Sequence, residues 1–167
     1  MNPVFLAADW NRLVMFNFPI DPSDLAKFTP RGTEVDTWAG STYISLVGFR
    51  FLNTRVKGLA LPFHRNFEEI NLRFYVRYRG AEGWRRGVVF VREVVPRRAI
   101  AAVAKWLYNE NYVACPTRSR VVDPAGGGDG RVEYSWKYLG EWLSARGLSG
   151  TFDRHELTGL SPYVIGV

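Results

Sequence analysis

The stretch that most constrains this chain is residues 67–77, FEEINLRFYVR, in which apolar and polar side chains alternate with period two. Ile70, Leu72, Phe74 and Val76 point one way; Glu69, Asn71, Arg73, Tyr75 and Arg77 point the other. A helix would scatter both sets around its axis, whereas a strand separates them onto two faces. Such a strand demands an apolar layer against one face. Its polar row then lies either in water or around a cavity, and the alternation alone leaves both open.

The rest of the chain reads mainly as further strands. Residues 4–18 suit a first strand interrupted near Asp9. Asp21 can cap a short helix over about 22–28, with Pro22 at its first position and Asp24 complementing the dipole. Residues 34–38 and 42–54 predict a hairpin around Ala39-Gly40-Ser41, and Gly80-Ala81-Glu82-Gly83 a turn into a buried strand over 84–95. Pro96 opens a packing helix over about 96–108, because Ile100, Val103, Ala104 and Leu107 share one face. Residues 112–123 and 131–138 form a second predicted hairpin around the glycine run 126–130. From Leu139 the periodicity fails, and residues 139–167 are expected to be an atypical or truncated C-terminal part of a single domain over 1–167. These elements predict a mainly β, α+β fold: a curved, largely antiparallel sheet closing toward a barrel, with a two-layer α+β sandwich as the alternative.

Composition narrows the chemistry. A chain of 167 residues with one cysteine, Cys115, has no internal disulfide framework and no cysteine-based zinc cluster. With two histidines, a metal centre would have to lean on carboxylates; no metal and no cofactor is expected. No apolar run reaches the roughly 18 residues of a membrane helix, and the N-terminus lacks a basic-then-apolar leader, so no membrane partner and a cytoplasmic location are expected. The net charge is +6, and 18 of 22 basic residues are arginine. Nine arginines against four acids fall between Arg65 and Arg98. That block either attracts phosphates or forms a solvated set of strand-edge cations.

The densest polar segment is His64–Arg73. If the Glu69, Asn71 and Arg73 face is interior, Arg73 can anchor a carboxylate and a desolvated Glu69 can act as general acid or base. If it is exterior, the same residues are a solvated face of little consequence. His64, near Glu68 and Glu69, is at most part of a metal site, and a loop histidine is the simpler reading. Cys115 is a nucleophile only with a base beside it; an ordinary buried thiol is the plainer reading. Lys105 is the one lysine a packing helix could half-bury, and a snorkelling surface lysine is the plainer reading. No nucleophile elbow or phosphate loop is present. Most aromatics occupy apolar strand positions, and no nucleic-acid motif appears, so nucleic acid is disfavoured.

Several longer motifs carry a family resemblance: Asp36-Thr37-Trp38, Tyr43–Phe49, Phe51–Val56, Pro62–Val76, Arg86–Phe90 and Leu107–Tyr112. Over about residues 5–138 the chain resembles the YqjF-like family of uncharacterised bacterial proteins. The resemblance implies an acetoacetate-decarboxylase-like fold, a β-barrel or cone with a ligand-sized interior. Phe67-Glu68-Glu69 is similar to the aromatic-x-Glu that opens the decarboxylases' active-site strand, which implies a pocket position for Glu69. Their adjacent catalytic lysines have no counterpart, since this chain reads Pro96-Arg97-Arg98-Ala99 there. Schiff-base decarboxylation is therefore not expected.

The resulting expectation is a small-molecule-binding protein for a small anionic organic ligand. Glu69, Asn71 and Arg73 form the expected pocket wall, with His64 and Arg65 at its mouth and Glu69 the candidate catalytic residue. One rival is a lyase or hydrolase using Glu69 as acid/base. The other is a nucleic-acid or phosphate-binding module using the Arg65–Arg98 block.

Overall fold

The computed structural model describes residues 6–56, 58–60, 65–96, 112–123 and 130–149. Within them the chain is almost entirely strand. In chain order come β1 (Leu6–Pro19), helix α1 (Pro22–Leu25) running into a 3-10 turn (Ala26–Phe28), β2 (Glu34–Val35), β3 (Tyr43–Val56) and β4 (Leu59–Ala60). They are followed by β5 (Phe67–Gly80), β6 (Gly83–Val95), β7 (Tyr112–Ala114), β8 (Thr117–Val122), β9 (Gly130–Tyr138) and β10 (Glu141–Ser149). No described helix is long and apolar enough to cross a membrane.

Two sheets result. The larger runs β1-β3-β5-β6-β7, with β2 added to β5 and β4 to β3; the smaller runs β10-β9-β8. Every pairing is antiparallel except β6 with β7, which is parallel. The expected barrel or cone is thus an open one, in which the sheets meet through side chains rather than through a closed hydrogen-bond ring. The expected packing helix over 96–108 falls mostly outside the described residues, whereas the short helix over 22–28 is present. Its Asp21 side chain accepts from the Ser23 N–H at 2.8 Å, and Leu25 is its buried residue.

The alternation of β5 sets the layering. Ile70 packs with Val14, Val94, Val132 and Tyr134 in the seam between the sheets. Farther along the same face, Phe74 and Val76 pack with Leu25 and Val89 beneath the short helix. One row of alternate residues therefore buries against two covers, the small sheet and the helix. A third cluster, Val47, Phe49, Phe51, Phe67 and Val95, lies on the opposite face of the large sheet.

The seam is tight where β3 passes β9. A Cβ on Gly48 would stand 2.6 Å from Cδ2 of Tyr134, so only glycine lets that ring approach the sheet. The Tyr134 hydroxyl reaches through to donate to the Arg12 carbonyl at 2.7 Å. Arg12 has φ +56° and sits in a bulge, since β1 slips register against β3 between Asn11 and Val14. A second slip, between Ala7 and Asp9, faces Asn53, whose amide donates to the Asp9 carboxylate at 3.0 Å. The interruption expected near Asp9 is this bulge.

Four elements differ from the sequence reading. Ala39 and Gly40, both at positive φ, do turn the chain, but the arms make a single bridge, Trp38 to Ser41. β2 pairs instead with β5, Glu34 opposite Arg77. The expected strand over 112–123 is two, broken at Cys115-Pro116: β7 joins the large sheet and β8 the small one. Proline lacks the N–H a continuous ladder would use there. Finally, the aperiodic tail contains β10, paired along its whole length with β9.

Candidate functional site

β5 lies between β3 and β6, so its polar row is flanked on both sides. Register puts Phe49 opposite Glu69, Val47 opposite Asn71 and Ser45 opposite Arg73 on β3. On β6, Glu93 stands opposite Asn71 and Phe90 opposite Arg73. Glu69, Asn71 and Glu93 are 3%, 1% and 2% exposed, so this stretch of the face is not a solvated wall. Arg73 is half-buried.

The polar groups fall into two neighbouring sets. At the deeper end, the Asn71 amide donates to Glu69 Oε1 at 3.4 Å, a long contact, while Asn71 Oδ1 has no hydrogen-bond partner among the described residues. At the other end, the buried Ser45 hydroxyl donates to Asn17 Oδ1 at 2.6 Å and meets the Tyr75 hydroxyl at 2.9 Å. The Tyr75 hydroxyl and an Arg73 terminal nitrogen converge on the Met15 sulfur, at 3.8 and 3.6 Å. The Arg73 guanidinium also lies 6.0 Å from the Tyr75 ring centre. Its Nε has no hydrogen-bond partner, and no ion pair to Arg73 is present among the described residues.

A guanidinium held by a thioether and an aromatic ring is positioned without being neutralised. It keeps a fork of donors suited to a carboxylate. On the same face, the unpartnered Asn71 Oδ1 and the buried carboxylates of Glu69 and Glu93 supply acceptor and acid/base capacity in a desolvated setting.

Of the residues singled out in the sequence, Glu69, Asn71 and Arg73 do share one face. Arg65 is exposed at the start of β5, where its carbonyl accepts from the Thr54 N–H at 3.0 Å. His64 lies outside the described residues. Glu68 faces away from Glu69 and accepts from the Ser119 hydroxyl of β8 at 2.8 Å, so the two glutamates do not converge. Among the described residues no cluster of three or more histidine, cysteine, aspartate or glutamate side chains could hold a metal ion. Cys115 is half-buried and free, packed against the seam between the sheets, with its N–H donating to the Val95 carbonyl at 3.0 Å. Of the lysines, Lys27 and Lys137 are exposed and away from this face, while Lys57 and Lys105 lie outside the described residues.

Sequence reasoning missed Glu93, Ser45, Asn17 and Met15. For Glu93 the cause is a bulge: Arg73 pairs with Phe90 but Leu72 with Arg92, so β6 carries one extra residue. Counting by twos from Phe90 would put Arg92 on the polar face; the bulge puts Glu93 there instead. A lone acid in the apolar run 88–95 was the only signal.

The model of the DUF2071 family, described as an uncharacterized conserved protein, matches residues 7–157. The uncharacterized protein YqjF of Bacillus subtilis (strain 168) is 39% identical over 75 residues, which are 44% of this chain and 31% of that protein. Among solved structures, an acetoacetate decarboxylase from Legionella pneumophila superposes with a TM-score of 0.67 at 13% identity, covering 95% of this chain and 58% of that one. The enduracididine biosynthesis enzyme MppR, complexed with the condensation product of pyruvate and imidazole 4-carboxaldehyde, gives 0.63 at 16% identity, over 87% of this chain and 56% of that one. An acetoacetate decarboxylase-like enzyme from Sphingomonas wittichii RW1 gives 0.62 at 16% identity, over 86% and 56%. The fold is acetoacetate-decarboxylase-like, and the chain spans less than two thirds of the length of each of these proteins.

Proposed function

From the premise that the chain belongs to the DUF2071 family of uncharacterized conserved proteins and has an acetoacetate-decarboxylase-like fold, we propose that it binds a small organic anion on the polar face of β5. The ligand's carboxylate is assigned to Arg73, and its body lies along Asn71 and Glu69. His64 and Arg65 are assigned to the mouth of the site.

The observation that carries this reading is the state of Arg73. Burying part of a guanidinium without a carboxylate is unfavourable, and most such cations in proteins are paired. Here the described contacts are a sulfur and an aromatic ring. A ligand carboxylate would complete the set and would do so bidentately. The ligand class is supported by MppR, one structure of which is complexed with pyruvate. A short 2-oxo or 3-oxo acid is therefore the first probe.

A second reading, a lyase or hydrolase using Glu69 as acid/base, is favoured by one feature. Glu69 and Glu93 are both buried on the face that holds Arg73, flanking Asn71 across two strands. Carboxylates in such surroundings are the groups whose proton affinities are tuned for acid/base work.

Thermal unfolding with and without ligand tests the binding. A ligand at about 100 times its Kd adds about 2.7 kcal/mol of stability. Pyruvate or acetoacetate should raise the Tm, and their neutral methyl esters should not. Arg73→Ala should abolish the carboxylate response while leaving the protein folded. An unchanged response in Arg73→Ala would remove the assignment.

A further inference from the structure

Part of the arginine-rich stretch of the sequence is neutralised within the fold. Within the 65–98 block, Arg77 pairs with Glu34 at 2.9 Å, Arg85 with Glu82 at 2.7 Å and Arg86 with Asp36 at 2.9 Å. The outer face of the small sheet is the opposite case. Val132 and Tyr134 of β9 point inward into the seam. Period two therefore places Arg131, Glu133, Ser135 and Lys137 on the other face, of which Ser135 is itself buried. Register adds Arg118 opposite Ser135 and Arg120 opposite Glu133 from β8, and Arg146 opposite Glu133 and Trp142 opposite Lys137 from β10.

Five exposed cations from three strands, Arg118, Arg120, Arg131, Lys137 and Arg146, thus share this face with one described carboxylate, Glu133, which pairs with Arg146 at 3.1 Å. The other four have no ion-pair partner among the described residues. An open concavity of about 590 Å³ lies on this sheet, lined by Arg120, Arg131, Glu133, Arg146 and Val122 among others. Beside it, the Arg118 guanidinium lies 4.2 Å from the Trp142 ring centre, and Trp142 is 44% exposed.

We propose that this outer face binds single-stranded nucleic acid, with its arginines on the phosphates and Trp142 beneath a base. Four cations without an ion-pair partner on one sheet face form an attractive field for a polyanion, and guanidinium forks suit phosphate oxygens. An exposed indole already engaged by an arginine is the platform on which unpaired bases stack. A duplex would hide its bases from that platform. An anionic membrane is the poorer fit, because the exposed apolar side chains described on this face, Val122 and Trp142, stand apart rather than in a row that could enter the acyl region. An acidic peptide would match the charge but not use the ring.

The test is fluorescence anisotropy of the whole protein with labelled oligothymidylate and oligouridylate of about 16 nucleotides. Binding should weaken with salt, with a log–log slope of about −3 for four or five neutralised phosphates. The double variant Arg120→Gln/Arg131→Gln should lose tenfold or more in affinity, with a slope shallower by about 1.4. Trp142→Ala should lose about tenfold with the slope unchanged. Arg79→Gln/Arg85→Gln, the same charge change on the β5–β6 hairpin, should bind as the parent does. Circular dichroism and Tm establish that each variant is folded. The proposal is overturned by absence of binding at low salt, or by equal losses in both double variants. It is also overturned if Trp142→Ala has no effect while polyglutamate or anionic vesicles compete equally well.

Discussion

Tyr134 helps tie the small sheet to the large one, joining an apolar ring contact to a hydrogen bond across the seam. Its ring is 0% exposed against Gly48, and its hydroxyl donates to the carbonyl of the bulged Arg12. Burial pushes the phenol well above its ordinary range, because ionising it there would place a charge in a desolvated seam. The pH dependence follows in sign. A folded-state proton affinity above the unfolded one makes the contribution of Tyr134 complete below about pH 10 and lost as pH rises beyond it, since only the unfolded phenol ionises there. Tyr134→Phe removes the hydroxyl and strands the Arg12 carbonyl, which costs about 1–3 kcal/mol at neutral pH. The same variant should lose less Tm than the parent between neutral pH and pH 11. Parallel alkaline slopes for parent and variant would place the Tyr134 hydroxyl in contact with solvent.

At the scale of elements, the β9–β10 hairpin contains an identifiable strain. Tyr138 pairs with Glu141, so its loop is Leu139-Gly140, with φ +48° and +89°. That geometry is the tight turn favoured by right-handed strand twist, and it asks for Asn-Gly or Asp-Gly. Leucine at positive φ is unfavourable by about 1–2 kcal/mol, and at 87% exposure its side chain gains little burial in return. Leu139→Asn should therefore stabilise the protein by about 1 kcal/mol and raise the Tm by about 2–4 °C in calorimetry. A lower Tm would mean that Leu139 packs against something. This hairpin also shows why part of the fold was illegible in the sequence. β5 alternates because each of its faces meets a different environment, so its period is visible. Among the residues of β10 whose exposure is described, Ala145 and Gly147 alone are half-buried, and an edge strand with so little buried shows no clear period. The β2–β3 reading failed for a related reason: the turn at Ala39-Gly40 was legible, but two residues, Glu34 and Val35, prefer the free edge of β5. Pro116 was a visible stop that the 112–123 strand reading passed over.

At the scale of the whole molecule, the seam and the polar face of β5 are two sides of one sheet with opposite demands. The seam is apolar and closely packed, as stability requires. The other side buries the polar side chains of Glu69, Asn71 and Glu93 among Val47, Phe49 and Val95, an environment in which each polar atom needs a partner. Period two in β5 announced the division, while the identity of the second carboxylate waited on the β6 bulge. Asn71 lets the two demands be separated. It is 1% exposed, donates one long hydrogen bond at 3.4 Å, and leaves Oδ1 without a partner among the described residues. A buried acceptor in that state costs about 1–3 kcal/mol, and valine would fill a central strand position better than asparagine. If the face serves a ligand, Asn71→Val should match or exceed the parent in Tm and lose the Tm rise produced by pyruvate or acetoacetate. A structural asparagine would behave in reverse: Asn71→Val would unfold at lower temperature and keep the ligand response. Measuring both quantities on the same variant decides whether the row of polar residues opposite the seam is held for binding or for the fold.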